Sequence, residues 1–385
     1  MKAFDRNARN LIGLLVVLFL FSFIYWTGHS LSIGPATVEA KITEETSPSE
    51  ENIVFDKSNP HVKKVMDAQN RHTQALMSMP EVVGTAAGLS EDNSPAIVVF
   101  TKKKLEAGAI PEYLEGIPVT VVVTGEIFAM KQPDGVKGKR TVQPTSQFTM
   151  PVPIGVSTGN INECSAGTIA ARLKDGSGNV YALSNNHVYA LENNATKKGP
   201  NSDGDPIIQP GRYDTGCAFS GYNQIGNLYD FVTINFNGGP NTVDAAIASS
   251  SINQLKTSTP SDGYGTPNSL TYFQATGRTP YIGQSVKKYG RTTRLTTGTI
   301  NGINVTVKVC YNSSCTLIAT FVNQLAIGRS NFSKAGDSGS LIVTNDSNAY
   351  PIGLLFAGGS GVTFSNPIDA VLNSFSLSVD DRDDK

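Results

Sequence analysis

The sequence has 385 residues, 39% of them hydrophobic, with 31 Lys and Arg against 32 Asp and Glu. It can therefore bury a core for two or three domains, but its formal charge of −1 gives neither a basic field for nucleic acid nor a bias toward a strongly charged partner. Thirty-seven glycines and twenty prolines favour short strands joined by tight turns, the composition of sandwiches and barrels.

The N-terminus reads as a topogenic signal. Lys2, Arg6 and Arg9, within a cytoplasmic basic stretch 1–10, precede an uncharged apolar run from Leu11 to Trp26, and the next charged residue is Glu39. Residues 11–31 are a signal anchor or a signal peptide. Their length approaches the roughly 20 residues that span a bilayer, which favours an uncleaved anchor holding the chain to the membrane. The alternative is cleavage at Ser30-Leu31-Ser32 or near Val38-Glu39-Ala40, giving a secreted chain. Either way the bulk of the protein is extracytoplasmic, and residues 32–59, rich in Glu, Thr, Ser and Pro, form a flexible spacer.

Between Pro60 and Met79, the residues Val62, Val65, Met66 and Leu76 share one helical face that Gln69 and Thr73 interrupt, and Pro80 ends the pattern. Val82 to Leu89 and Ala96 to Phe100 make a hairpin-like pair around Glu91 to Pro95, and Val119 to Val123 adds a third strand. The expectation is a small α/β N-terminal domain over 60–130, acting as a pro- or regulatory region. A linker follows over 131–150, punctuated by Pro133, Gly135, Gly138 and Pro144. Its Lys137, Lys139 and Arg140 fit either a solvated connector or a processing site that releases the N-terminal domain.

From Pro151 the pattern is one of short strands. Candidates begin at Thr168, Val180, Phe231, Ala245, Ser285, Thr297, Val305, Leu317, Ser340 and Ile352. A terminal helix is the exception: Asn366 can cap it, Pro367 suits its first position, and Ile368, Val371, Leu372 and Phe375 recur at helical spacing. The acidic tail 376–385 is expected to be disordered.

Four cysteines, Cys164, Cys217, Cys310 and Cys315, all fall in this exported region, where disulfides are permitted. Strands flanking the turn Tyr311-Asn312-Ser313-Ser314 favour pairing Cys310 with Cys315, which leaves Cys164 for Cys217. No metal or cofactor is expected. No Cys or His pair has zinc spacing, Asn201 to Asp205 is followed by Pro206 where a calcium loop needs glycine, and Gly358 to Gly361 lacks the Lys of a phosphate loop.

The chemistry concentrates in three places. His187 follows Leu183-Ser184-Asn185-Asn186, Asp244 leads the small apolar run Ala245-Ala246-Ile247, and Ser338 sits within Gly336-Asp337-Ser338-Gly339-Ser340. A serine hydroxyl attacks a carbonyl usefully only if a neighbouring base removes its proton. Of the four histidines, His29, His61 and His72 precede the strand-rich region, so His187 is the only candidate base within it. Asp244 would fix the imidazole tautomer, with Asp230 as the other acid to consider. The amides of Gly336 and Ser338 would face a tetrahedral oxyanion, and a side chain at 336 would obstruct that turn.

In the order His, Asp, Ser, with these flanking motifs, residues 151–375 resemble the trypsin-like, chymotrypsin-fold serine peptidases, especially their bacterial exported members. The resemblance implies a mainly β fold of two six-stranded-type antiparallel barrels with a C-terminal helix, here preceded by the small α/β domain and the membrane or signal segment. It implies His187 as general base, Asp244 as orienting acid and Ser338 as nucleophile in an endopeptidase acting on protein or peptide substrates. It also implies that Leu354 to Gly359 runs beside the substrate backbone, with Ala357, Gly358 and Gly359 at the pocket wall. Two features depart from the pattern. Phe332 occupies the position six before the nucleophile, where an acid would select Arg or Lys, so a medium apolar or small uncharged residue is expected before the cut. No Ile-Val-Gly-Gly activation sequence precedes the barrels, so Asp337 is expected to bond a local donor. The alternative reading is a catalytically inactive trypsin-fold module that binds a protein partner.

Overall fold

Asn59 starts the first helix, Pro60–Met77, by accepting hydrogen bonds at its side-chain oxygen from the His61 and Val62 amides. In the computed structural model, which describes residues 54–130 and 143–382, Val62, Val65, Ala68 and Leu76 turn into the core. The two polar interruptions of that stripe are paired rather than exposed. Gln69 donates to Thr85 Oγ1 and to the Asn304 carbonyl, and its own oxygen accepts from Asn304. Thr73 shares a hydrogen bond with Thr85. Burying these groups is tolerable because each finds a partner.

The helix covers a sheet that joins the region 60–130 to the rest of the protein. Strand Val82–Leu89 pairs antiparallel with Pro95–Thr101, which pairs parallel with Ile117–Val123. The other edge of Val82–Leu89 pairs with the long strand Arg294–Cys310, so the region expected as an α/β domain is hydrogen-bonded into the second barrel. All described residues belong to one unit.

Two antiparallel barrels form the body in a chymotrypsin-like arrangement. In the first, the ladder runs Ala171–Lys174, Val180–Ser184, Ala246–Ser250, Asn223–Phe231, Pro206–Gln209, Ser157–Asn160 and Gly167–Thr168. Gly167–Thr168 leads directly into Ala171–Lys174 and closes the ring. In the second, Ser285–Gly290, Arg294–Cys310, Ile318–Gly328, Val362–Pro367, Pro351–Gly359 and Leu341–Thr344 close a six-stranded ring. The sequence pattern splits Arg294–Cys310 at Asn304, whereas the structure keeps one strand. It absorbs Asn304, at φ +54°, as an irregularity in the pairing.

Both expected disulfides are present, Cys164 to Cys217 and Cys310 to Cys315, with Cα–Cα distances of 5.2 and 4.8 Å. The terminal helix runs Ile368–Phe375, with Pro367 rather than Asn366 at its cap. Segment 11–31 and most of the linker lie outside the described residues. Among those described, no helix is long and apolar enough to cross a membrane.

The expectation of a disordered tail fails for residues 376–382. Ser378–Val379 pairs with Ala171–Lys174, and the Asp380 carboxylate meets Arg172 at 2.9 Å with both side chains 0% exposed. A buried guanidinium needs a counter-charge, and Asp380 supplies it. Burial alone would push the Asp380 carboxyl up, but hydrogen bonds from Arg382 and the charges of Arg172 and Arg382 hold it below its ordinary value of 3.8. Its stabilisation is therefore present above pH 3.8 and lost as pH falls through the depressed value. Asp380→Ala is expected to cost about 3–5 kcal/mol in a denaturant titration at pH 7, because it removes a fully buried carboxylate from Arg172.

Candidate active site

The short helix Asn186–Tyr189 follows directly on strand Val180–Ser184 and carries His187 at the inner end of the first barrel. His187 Nδ1 lies 2.6 Å from Asp244 Oδ2, and the His187 amide donates to Asp244 Oδ1 at 3.3 Å. Asp244 precedes Ala246–Ser250, the strand paired with Val180–Ser184, so one ladder holds both residues in register. Asn185 donates to the Asp244 carbonyl at 2.7 Å. Asp230 is remote from this pair in its bonding: it meets Lys197 at 2.7 Å on the surface.

Two residues that sequence reading missed complete the setting of Asp244. Tyr311 donates its hydroxyl to Asp244 Oδ2 at 2.7 Å, and its ring stands edge-on to the His187 ring at 5.8 Å. Burial first, and the Asp244 charge second, push the Tyr311 hydroxyl well above its usual pKa, so it remains a donor. Asn366 accepts from the Asp244 amide at 3.1 Å and donates to Gln324 Oε1 at 2.7 Å, which is why it is unavailable as a helix cap. A tyrosine beside a cysteine in a short disulfide loop is a local signal, but its reach to Asp244 is a tertiary fact. Tyr311→Phe is expected to lower stability by about 1.5–3 kcal/mol in thermal or denaturant unfolding, since it removes a donor to a buried carboxylate.

The segment carrying Ser338 belongs to the second barrel and is pinned to the first. The Thr168 amide donates to the Ser338 carbonyl at 2.7 Å, and Thr168 Oγ1 donates to the Gly336 carbonyl at 2.9 Å. A Cβ on Gly339 would lie 2.3 Å from Ser184 Oγ, so the turn abuts the strand that leads into His187. Gly336 adopts φ +94°, and a Cβ there would lie 2.5 Å from Thr292 Oγ1. Glycine is the residue this turn accepts. Asp337 is satisfied locally: its carboxylate accepts from the amides of Thr292, Thr293 and Lys334 and from the Thr293 hydroxyl, with Lys288 Nζ at 3.8 Å.

His187, Asp244 and Ser338 are each 0% exposed. Ser338 Oγ donates to the Phe356 carbonyl at 3.3 Å, and His187 Nε2 is buried without a hydrogen-bond partner among the described residues. Of the expected pocket residues, Phe332 packs in the barrel core, where a Cβ on Gly298 would touch its ring. Its neighbour Ser333 contacts Met130 Sδ at 3.3 Å and shares a hydrogen bond with Thr363. Ala357, Gly358 and Gly359 lie on strand Pro351–Gly359, and the first two pair antiparallel with Ala129 and Phe128.

No family model matches the sequence, and no curated protein matches it. Among solved structures it is similar to a glutamic acid-specific serine protease that uses a histidine triad in substrate binding, at 19% identity and a TM-score of 0.40 over 60% of this chain and all of that one. It is also similar to a Nocardiopsis protease, at 18% identity and 0.39 over 59% of this chain and 99% of that one. A third is a chymotrypsin from Cellulomonas bogoriensis, at 16% identity and 0.38 over 60% and 98%. At these scores the chemistry of the site rests on its own geometry.

Proposed function

We propose that the protein is an extracytoplasmic serine endopeptidase. The observation that carries this reading is a buried imidazole, held at Nδ1 by Asp244 and left with a free Nε2, on a wall against which the Ser338 turn is docked. Asp244 keeps the Nδ1 proton in place, so Nε2 is the acceptor. Turned away from the Phe356 carbonyl, the Ser338 hydroxyl gives His187 its proton as the oxygen attacks a substrate carbonyl. Developing charge on that carbonyl is met by the Gly336 and Ser338 amides, each such donor being worth about 3–4 kcal/mol of barrier. The protonated imidazole then gives its proton to the leaving amine. The apolar N-terminal segment and the two disulfides support the extracytoplasmic address. Incubation with an unfolded protein substrate tests the reading. New amino termini appear with the wild type and are absent with Ser338→Ala; a folded wild type that releases none points to a binding module and overturns it.

A further inference from the structure

Tyr311 reaches Asp244 from the tip of a hairpin that a disulfide closes. Strands Arg294–Cys310 and Ile318–Gly328 pair antiparallel as far as Cys310 opposite Ile318, and the Tyr311 amide donates to the Leu317 carbonyl at 2.8 Å. The chain then turns through Asn312, Ser313 and Ser314 and returns at Cys315, which is bonded to Cys310. Cys310 is fixed in turn, its amide donating to the Ile127 carbonyl at 2.8 Å. The cross-link therefore clips the hairpin one residue before Tyr311. The ring beyond it packs edge-on to Phe236 at 5.2 Å and stacks on Phe321 at 6.3 Å.

What this hairpin holds is the orienting end of the His187–Asp244 pair. Asp244 Oδ2 takes the Tyr311 hydroxyl at 2.7 Å on the same oxygen that meets His187 Nδ1 at 2.6 Å, whereas Oδ1 receives the His187 amide at 3.3 Å. Among the described residues, no other side chain donates to this carboxylate. Asp244 is 0% exposed, so bulk solvent does not replace a donor that leaves, and the carboxylate loses a restraint on its rotation.

The sulfurs differ in access. Cys310 is 3% exposed, while Cys315 is half-buried and flanks the exposed Ser313 and Ser314, so Cys315 is the sulfur that an incoming thiolate meets. Glu126 stands beside both: its Oε1 holds Lys102 at 2.9 Å, and its Oε2 lies 3.9 Å from each sulfur. A disulfide has no hydrogen to offer that oxygen, whereas two thiols do, so this contact favours the reduced form of the loop.

We propose that Tyr311 is a positioning residue for the His187–Asp244 pair and that the Cys310–Cys315 disulfide is a redox control on it, catalysis slowing when reduction lets the hairpin tip open. This rests on the hydrolytic reading above and adds the regulation of its site. The reductant is a dithiol. One of its thiolates bonds to Cys315 Sγ, the Cys310–Cys315 bond breaks, and Cys310 leaves as a thiolate that takes up a proton. The second thiolate then bonds to its partner sulfur in the mixed disulfide, and Cys315 leaves and is protonated. Two electrons and the two thiol protons pass to the protein, and the reductant ends as a disulfide.

The test compares the full chain, before and after treatment with dithiothreitol, with Tyr311→Phe, with the double variant Cys310→Ser plus Cys315→Ser, and with all three changes together. Each is followed by hydrolysis of an unfolded protein substrate, by fluorophosphonate labelling of Ser338 and by the proton NMR signal of His187 Nδ1, with thermal unfolding as the check on folding. Tyr311→Phe and the cysteine double variant are each expected to lose kcat about tenfold or more, with KM within about twofold, and to shift the Nδ1 signal. The triple variant falls no further, because all three changes act through one hydrogen bond. Dithiothreitol brings the wild type to the same level, reoxidation restores it, and the double variant does not respond, which separates this disulfide from Cys164–Cys217. A folded Tyr311→Phe with wild-type kcat and Nδ1 signal overturns the positioning role. A folded double variant at full kcat, or a wild type at full kcat with Cys310 and Cys315 reduced by alkylation mapping, overturns the redox control. Either result leaves the hydrolytic reading standing, whereas a wild type that neither hydrolyses nor labels in either redox state overturns both.

Discussion

Ser338→Ala is expected to lower kcat for peptide hydrolysis by about 10⁶-fold while leaving unfolding close to wild type. Among the described residues the hydroxyl makes one hydrogen bond, to the Phe356 carbonyl, and that carbonyl also receives the Met130 amide, so removing Oγ leaves that carbonyl paired. His187→Ala should reduce kcat to a similar floor, and the double variant no further, because a nucleophile and its base act as one unit. Steady-state kinetics of the three variants, each checked for folding by thermal unfolding, measure this directly. Additive losses would show that the two residues act in separate steps.

Asp244→Asn carries the second largest effect, an expected fall in kcat of about 10⁴-fold with KM little changed. Its cause is the tautomer. Asp244 Oδ2 receives both the Tyr311 hydroxyl and the His187 Nδ1 proton. With the amide oxygen at the Oδ1 position, accepting from the His187 amide, the NH2 takes the Oδ2 position and donates to the Tyr311 hydroxyl and to Nδ1, which becomes the acceptor and drives the proton to Nε2. An imidazole protonated at Nε2 cannot take the serine proton. The same kinetic assay reads the result, and an asparagine variant with near wild-type kcat would remove Asp244 from the mechanism.

The parts of this protein that sequence made legible are those in which local chemistry and tertiary role coincide. Gly336 and Gly339 flank Ser338 because the turn needs positive φ and close packing, and that pattern is readable in a line of text. The strands Val180–Ser184 and Leu341–Thr344 announce themselves as fully buried apolar runs. Asn223–Phe231 does not, because it is polar and half-exposed along much of its length. The sequence pattern instead suggests a strand over Phe231 to Phe236, which shares only Phe231 with the observed one. Helical spacing placed Gln69 and Thr73 as interruptions, since their partners Thr85 and Asn304 come from other elements. The charged tail carries the composition of disorder, because nothing near Asp380 in sequence reveals Arg172 across the barrel. Met130 is the plainest case. An isolated methionine before a polar linker carries no signal, and its place in the fold appears only where its carbonyl meets the Gly336 amide.

The central claim is that the imidazole of His187 makes the Ser338 hydroxyl a nucleophile. Treatment of the full-length protein with a fluorophosphonate, followed by mass-spectrometric mapping of the adduct, tests it most directly. The account predicts a single adduct on Ser338 that is lost in His187→Ala. A folded wild type that takes up no reagent at Ser338, or one that labels equally well without His187, would contradict it.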